Sequence, residues 1–372
     1  MTRRRGPSTP AAARPAAAQE RPDAATARPR AGAAGEAWRW LHRNLFSTWY
    51  NALLTVVGLA AVCGAASRVG RWALTAADWR VVTNNLTLLL VGPYPRDQLW
   101  RVGLAVLVTA ALAGFTAAAA GGGRSGVLMR RAPALAWLLA PLAVLWLVHG
   151  DGAVLDVVRT DRWGGLLLTL MLAAVGIVVS FPFGVALALG RQSTLPVVRA
   201  VSTACIEVVR GVPLVTVLFS TQIMLTLFLP EGLRPDRVLR AMAGLVVFSA
   251  AYVAENVRGG LQSVPQGQIE AAAALGLNGA QTTFLIVLPQ ALRAVVPSLV
   301  GQFISLFKDT SLVTIVGLQE LLGIANSVLA NPDYLGRYAE MYAFAGLVYW
   351  LFCYGMSRAG RRVEQRLGLG RR

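Results

Sequence analysis

The sequence predicts an all-α, polytopic helical membrane protein with about eight transmembrane helices. Three observations predict it. Of 372 residues, 55% are hydrophobic and only 14% are charged, where soluble domains carry about a quarter charged residues. The mean hydropathy is +0.55. The apolar residues also fall in blocks of about 20, the length that crosses hydrocarbon as a helix.

The elements follow in chain order. Residues 1–47 predict a disordered cytoplasmic tail, rich in Pro, Ala and Arg, with no aromatic residue before position 37. Its arginines are not followed directly by an apolar core, so a cleaved signal peptide is not expected. Apolar segments then run over roughly 48–67, 101–120, 132–150, 164–189, 206–229, 239–257, 291–308 and 340–357. The stretch 311–330 carries Gln319, Glu320 and Asn326, which predicts an outer loop with some helix. Residues 361–372 form a basic tail.

Orientation comes from the basic residues in the connections. With the N-terminus inside, the inside segments hold 22 Arg and Lys and the outside segments 12. Both termini and the connection 258–293 are thereby expected in the cytoplasm. The same distribution accounts for the net charge of +17. No basic motif is interleaved with aromatic residues, so nucleic acid is excluded as a partner, while membrane lipid is expected as one. Cys63, Cys205 and Cys353 read as small buried hydrophobes, and no metal-ligand spacing is present. His42 and His149 end apolar runs and read as polar residues at a membrane interface.

The connection "SVPQGQIEAAAALGLNGAQTTFLIVLP" (263–289) is too polar to span and too long for an idle turn. Ser263 with Gln266 resembles a capping box, and Pro265 suits a first turn. Glu270 and its alanines favour helix. Gly276 is suited to stop that helix, Asn278-Gly279 to turn the chain, and Pro289 to end or kink a second short helix. An interfacial helix resting on lipid would carry Lys and Arg on its polar face. Between Arg258 and Arg293 there is none. A bracket that docks a partner protein is the better reading.

The spacing Glu270-Ala271-Ala272, Gly276, Ile286 and Leu288-Pro289 resembles the EAA motif of ABC importer permeases. Four further stretches are similar to the polar amino-acid uptake family: 163–196, "IEVVRGVPLVTVLF" (206–219), "AYVAENVRGGLQSVPQGQ" (251–268) and "LFKDTSLV" (306–313). "NLFSTWYNALLTVV" (44–57), "YPRDQLWRV" (94–102) and "LVYWLFCYGMSR" (347–358) resemble most the second permease subunit of general L-amino-acid importers. The resemblance implies a type I ABC importer permease core over about 160–360, preceded by three additional transmembrane helices within 48–150. It implies that Glu270, Ala271, Ala272, Gly276, Ile286, Leu288 and Pro289 couple to an ATPase dimer. It further implies a second homologous permease subunit, a periplasmic amino-acid-binding protein and a bacterial inner-membrane location. ATP and Mg²⁺ would sit on the ATPase, with no cofactor on this chain. The chain has no phosphate-binding loop of its own, so it is not expected to be an enzyme.

Three polar groups remain. Glu207 and Arg210, one helical turn apart, can neutralise each other, and Pro213 beside them predicts a break that a gate could use. Glu255 and Arg258 repeat that spacing and could fix how the sixth segment enters the bracket. Lys308, Asp309, Thr310 and Ser311 form the densest polar cluster after a span, and Lys308 is the only lysine. A zwitterionic amino acid needs an acceptor for its ammonium and a donor for its carboxylate, which makes this cluster a candidate substrate path. Asn256 and Gln302 are weaker candidates. An ion-driven secondary transporter is the alternative function, but it should carry an internal repeat with matching broken helices, and none is found. A membrane enzyme or sensor would need a His, Cys or paired-carboxylate constellation at the membrane surface, which is also missing.

Overall fold

The computed structural model describes residues 33–119 and 127–368, and its regular elements are helices. The chain divides into a unit ending at Ala76 and a unit starting at Ala77.

The first unit holds α1 (Ala33–Leu45) and α2 (Trp49–Arg71), the latter ending in a π-helical turn, Trp72–Ala76. The end of the expected tail is therefore helical. Trp38, Leu41 and Leu45 recur at i, i+3 and i+7, a stripe that favours helix once it has an apolar surface to lie on. The earlier part of that tail lies outside the described residues. Thr55 Oγ1 donates to the Leu45 carbonyl at 2.9 Å, and Asn51 Nδ2 to Ser47 Oγ at 3.0 Å, which sets the corner between α1 and α2. No residue of α2 is buried. Leu54, Val57 and Val62 point outward, as a helix in contact with hydrocarbon requires. Cys63 is exposed with them, which corrects the expectation of a buried thiol.

The second unit begins with two short helices, α3 (Arg80–Thr83) and α4 (Leu86–Val91), and a long pair, α5 (Leu99–Ala119) and α6 (Val127–His149). Its spine is α7 (Gly165–Arg191) packed along α10 (Arg237–Ser263). Where hydrocarbon surrounds helices, small residues let backbones approach and gain packing contacts. Gly184 does this on α7: a Cβ there would lie 2.5 Å from Val253 Cγ1 and 2.8 Å from the Ala250 carbonyl. Gly260 plays the same part between α10 and α13 (Leu288–Asp309): a Cβ there would lie 2.6 Å from the Ala291 carbonyl.

Between them run α8 (Pro196–Gly211) and α9 (Leu214–Phe228), joined by extended Val212 and Pro213 and bent by 113°. The break expected at Pro213 is present. Two short helices, α11 (Gln266–Ala274) and α12 (Gly279–Gln281), connect α10 to α13, and α14 (Leu321–Leu329) and α15 (Tyr338–Arg366) complete the unit.

Among the described residues, five helices are long and apolar enough to cross a membrane, or six if the bent pair is one span. The chain is a multi-pass membrane protein. The sequence predicts about eight spans, and the last segment shows how the counts part. α15 carries Tyr338, Tyr342, Tyr349, Trp350 and Tyr354, whose polar edges lower its hydropathy while keeping it suited to an interface.

Opposite the bracket, the segment 150–163 is fastened from several sides. Asp151 accepts backbone N–H bonds from Ala153, Val154 and Leu155 at 2.9–3.1 Å. These hold its carboxyl pKa down at about 2, the Leu155 N–H contributing most. Buried Arg101 donates Nη1 to the Asp156 carbonyl at 2.7 Å, and Tyr94 OH donates to the Val148 carbonyl at 2.8 Å.

Candidate functional site

The connection from α10 to α13 forms the expected bracket, by different local means. Ser263 is the last residue of α10, and its hydroxyl donates to the Gly260 carbonyl at 2.7 Å instead of capping α11. The capping box lies at Asn278 and Gln281: the Gln281 N–H donates to Asn278 Oδ1 at 2.9 Å, and the Asn278 N–H to Gln281 Oε1 at 3.0 Å. Gly276 takes φ +77°, the left-handed turn that closes α11.

Pro289 ends no helix. It occupies the first turn of α13, directly after a π-helical turn, Thr282–Val287. The helical run continues through it from Gly279 to Val316, and the wider turn makes room for the ring and for the bond that its missing N–H cannot make.

The seven residues of the spacing divide by burial. Glu270, Ala271, Gly276 and Pro289 are exposed, Ala272 is buried, and Ile286 and Leu288 are half-buried. The spacing therefore joins an outward face to anchors that seat it. Beside that face, Leu275 is 81% exposed and Phe284 59% exposed. The sequence reading passed over both, though an apolar residue immediately before a helix-stopping glycine was the available signal. Exposed apolar side chains next to a carboxylate give a partner both burial and a charge to recognise.

At the foot of the bracket the charged residues pair otherwise than expected. Glu207 and Arg210 do not pair with each other. Arg191, the last residue of α7, reaches Glu207 at 3.0 Å, and Arg210 reaches Glu255 on α10 at 3.3 Å. The helix surface offers i,i+3 neighbours, but packing brings closer partners from adjacent helices. The second expected pair is formed, with Arg258 Nε donating to Glu255 Oε1 at 3.0 Å.

The polar cluster after α13 also divides. Lys308 and Ser311 border a cavity of about 270 Å³ with Leu322, Tyr342, Ala345 and Tyr349. Thr310 is fully buried, and its hydroxyl donates to the Phe307 carbonyl at 2.6 Å. Asp309 is half-buried and does not line the cavity. A second cavity of about 500 Å³ opens at the N-terminal end of α10, opposite the bracket, bordered by His149, Trp163, Arg237 and Arg240.

Behind Tyr349 sits a group that sequence reasoning treated only as loop polarity. Glu320 is fully buried. It accepts from Thr314 Oγ1 (2.6 Å), the Gly323 N–H (2.9 Å), Tyr349 OH (2.8 Å) and Thr169 Oγ1 (3.3 Å). It caps α14 and ties that helix to α7 and α15 at once. Among the described residues no cation pairs with it, so neutral donors and the α14 N-terminus satisfy it.

A bundle of apolar helices with small-residue contacts, a bent helix pair and a bracket at one end defines a multi-pass helical membrane protein. Residues 180–369 match the family described as binding-protein-dependent transport system inner membrane component. The inner membrane amino-acid ABC transporter permease protein YhdY of Escherichia coli (strain K12) is 42% identical, over 89% of this chain and 93% of that protein. The glutamate/glutamine/aspartate/asparagine transport system permease protein BztC of Rhodobacter capsulatus is 36% identical, over 88% of this chain and 93% of that protein. The probable glutamine ABC transporter permease protein GlnP of Bacillus subtilis (strain 168) is 39% identical, over 55% of this chain and 92% of that protein. The chain belongs to the binding-protein-dependent inner membrane transport component family.

Proposed function

We propose that this chain is the permease subunit of an ATP-driven importer that carries L-amino acids across a bacterial inner membrane. In this reading both termini face the cytoplasm. A periplasmic binding protein delivers the amino acid at the end of α10 that holds the larger cavity. A second, homologous permease subunit completes the path, and a dimeric ATPase holding ATP and Mg²⁺ drives it. The single observation that carries the reading is the bracket. Between two long apolar helices it offers Glu270, Leu275 and a left-handed Gly276 outward, at the spacing of the importer motif. The names of the relatives supply the amino acid. The match of GlnP to 55% of this chain supports a separable permease core over about 160–360, with the helices of 48–150 as an addition.

Closure of the ATPase displaces the bracket, and α10 and α13 carry the displacement into the bundle. Lys308 supplies the cation for a substrate carboxylate at its cavity, with Ser311 and the Tyr342 and Tyr349 rings beside it. Glu270→Lys and Gly276→Trp are expected to abolish uptake and ATPase co-purification while the protein stays in the membrane. Normal recruitment of the ATPase by both variants would overturn the docking role. Lys308→Gln is expected to raise the KM for uptake at least about tenfold, the loss of one charged hydrogen bond.

A further inference from the structure

Three helix ends converge where the bracket leaves α10. Arg191 ends α7, Arg210 lies one residue before α8 stops at Gly211, and Glu255 and Arg258 lie in the last third of α10. The two oxygens of Glu255 are used differently. Oε1 takes the Nε and Nη2 donors of Arg258, on its own helix. Oε2 is buried and accepts no hydrogen bond from the described residues. It lies 3.6 Å from Arg191 Nη1 and 3.3 Å from Arg210 Nη1, held by charge alone between two other helices. Arg210 also rests over the Tyr252 ring, 5.5 Å from its centroid.

A permanent structural ion pair fills its hydrogen bonds, because directional bonds repay desolvation that charge alone does not. Here the bonds Glu255 makes within α10 are formed and its own contacts to other helices are left open, while Arg191 donates to Glu207 on α8. The cross-helix contacts join the 113° bend of α8 and α9 to the helix that carries the bracket. Glu255 is about 24% exposed, so water reaches the group when the helices part.

We propose that Glu255 is a clasp, a positioning residue that holds the ends of α7 and α8 against α10 and releases Arg191 and Arg210 when the bracket is displaced. This rests on the bracket being the docking element. Arg191 already holds Glu207 at 3.0 Å through its other nitrogen, and released Arg210 finds water, so the clasp can reset in every cycle.

The test uses the full chain in lipid nanodiscs, alone and assembled with its ATPase and permease partner. Spin labels on Val208→Cys (α8) and Gln262→Cys (α10), with the native cysteines changed to Ser, report the distance between the helices. Arg210→Gln and Glu255→Gln are expected to lengthen and broaden that distance in the chain alone. In the assembly both are expected to raise ATP hydrolysis without binding protein several-fold and to lower the amino acid imported per ATP. A merely structural role would lower the amount of assembled complex and leave that ratio unchanged. Glu255→Asp is expected to restore the ratio in part. Arg210→Gln leaves Glu255 its bonds to Arg258 and its contact with Arg191, losing besides only the contact with the Tyr252 ring, so it decides the matter if Glu255→Gln fails to assemble. Unchanged distances together with an unchanged ratio would overturn the clasp. A wild-type assembly that imports no amino acid would overturn the transport reading instead, while the label distances still judge the clasp.

Discussion

Gly276 has open space where a Cβ would stand, so its requirement is the left-handed φ of +77° and not room. Gly276→Ala is therefore expected to weaken the turn by about 1–2 kcal/mol, lowering ATPase co-purification without changing the amount of chain in the membrane. Glu320 poses the opposite problem, since its surroundings leave no freedom. Glu320→Ala leaves the Gly323 N–H and the Thr314 and Tyr349 hydroxyls without an acceptor in a buried site, while Thr169 keeps the Gly165 carbonyl. A loss of roughly 2–4 kcal/mol is expected, read as a lower unfolding temperature in detergent. Glu320→Gln should cost less. Its oxygen can keep Thr314 and Gly323, while the Tyr349 and Thr169 hydroxyls rotate to accept from its amide. The glycine was legible in the sequence because one residue carries the whole signal. The glutamate was not, because three of its four partners are 6 to 151 positions away along the chain.

Among the elements, α7 and α10 approach each other most tightly where Gly184 leaves no room for a side chain. Gly184→Leu drives its side chain into Val253 and the Ala250 carbonyl, and is expected to separate the helices and abolish assembly. Thermal unfolding in detergent and loss of co-purified partner are the measurements. The segment 150–156 carries a pH prediction. Asp151 has a folded pKa of about 2, below its ordinary value. The order it provides is fully present above the unfolded pKa near ~4 and is lost as the pH falls through about 2. Amide exchange of Ala153, Val154 and Leu155 should rise over that window, and Asp151→Ala should remove the dependence. Helices, the break at Pro213 and the stop at Gly276 could be read locally. The capping box was misplaced by fifteen residues because Ser263 and Gln266 have the right spacing but the chain between them is not a single helix start.

For the whole molecule, the proposed orientation has a direct check. In right-side-out vesicles of a chain otherwise without cysteine, a membrane-impermeant maleimide should label Val154→Cys and leave Leu275→Cys untouched. Inverted vesicles should reverse the pattern. Both residues are exposed, at 77% and 81%, so burial does not mask either result. Labelling of both from one side would place the loop and the bracket on the same face and overturn the topology.

Hydropathy and local chemistry are additive along a chain, and they determined the helical membrane class, the approximate segments, the charge bias and the bracket with its spacing. Tertiary structure alone decided which charges meet: Arg191 with Glu207, Arg210 with Glu255, and Glu320 with neutral donors from three elements. It also decided that Thr310 turns inward while Lys308 and Ser311 share a cavity. The physical reason is range. A turn or a helix stop is set within a few residues, whereas an ion pair forms with whatever opposite charge packing brings within about 4 Å, and packing depends on every helix together.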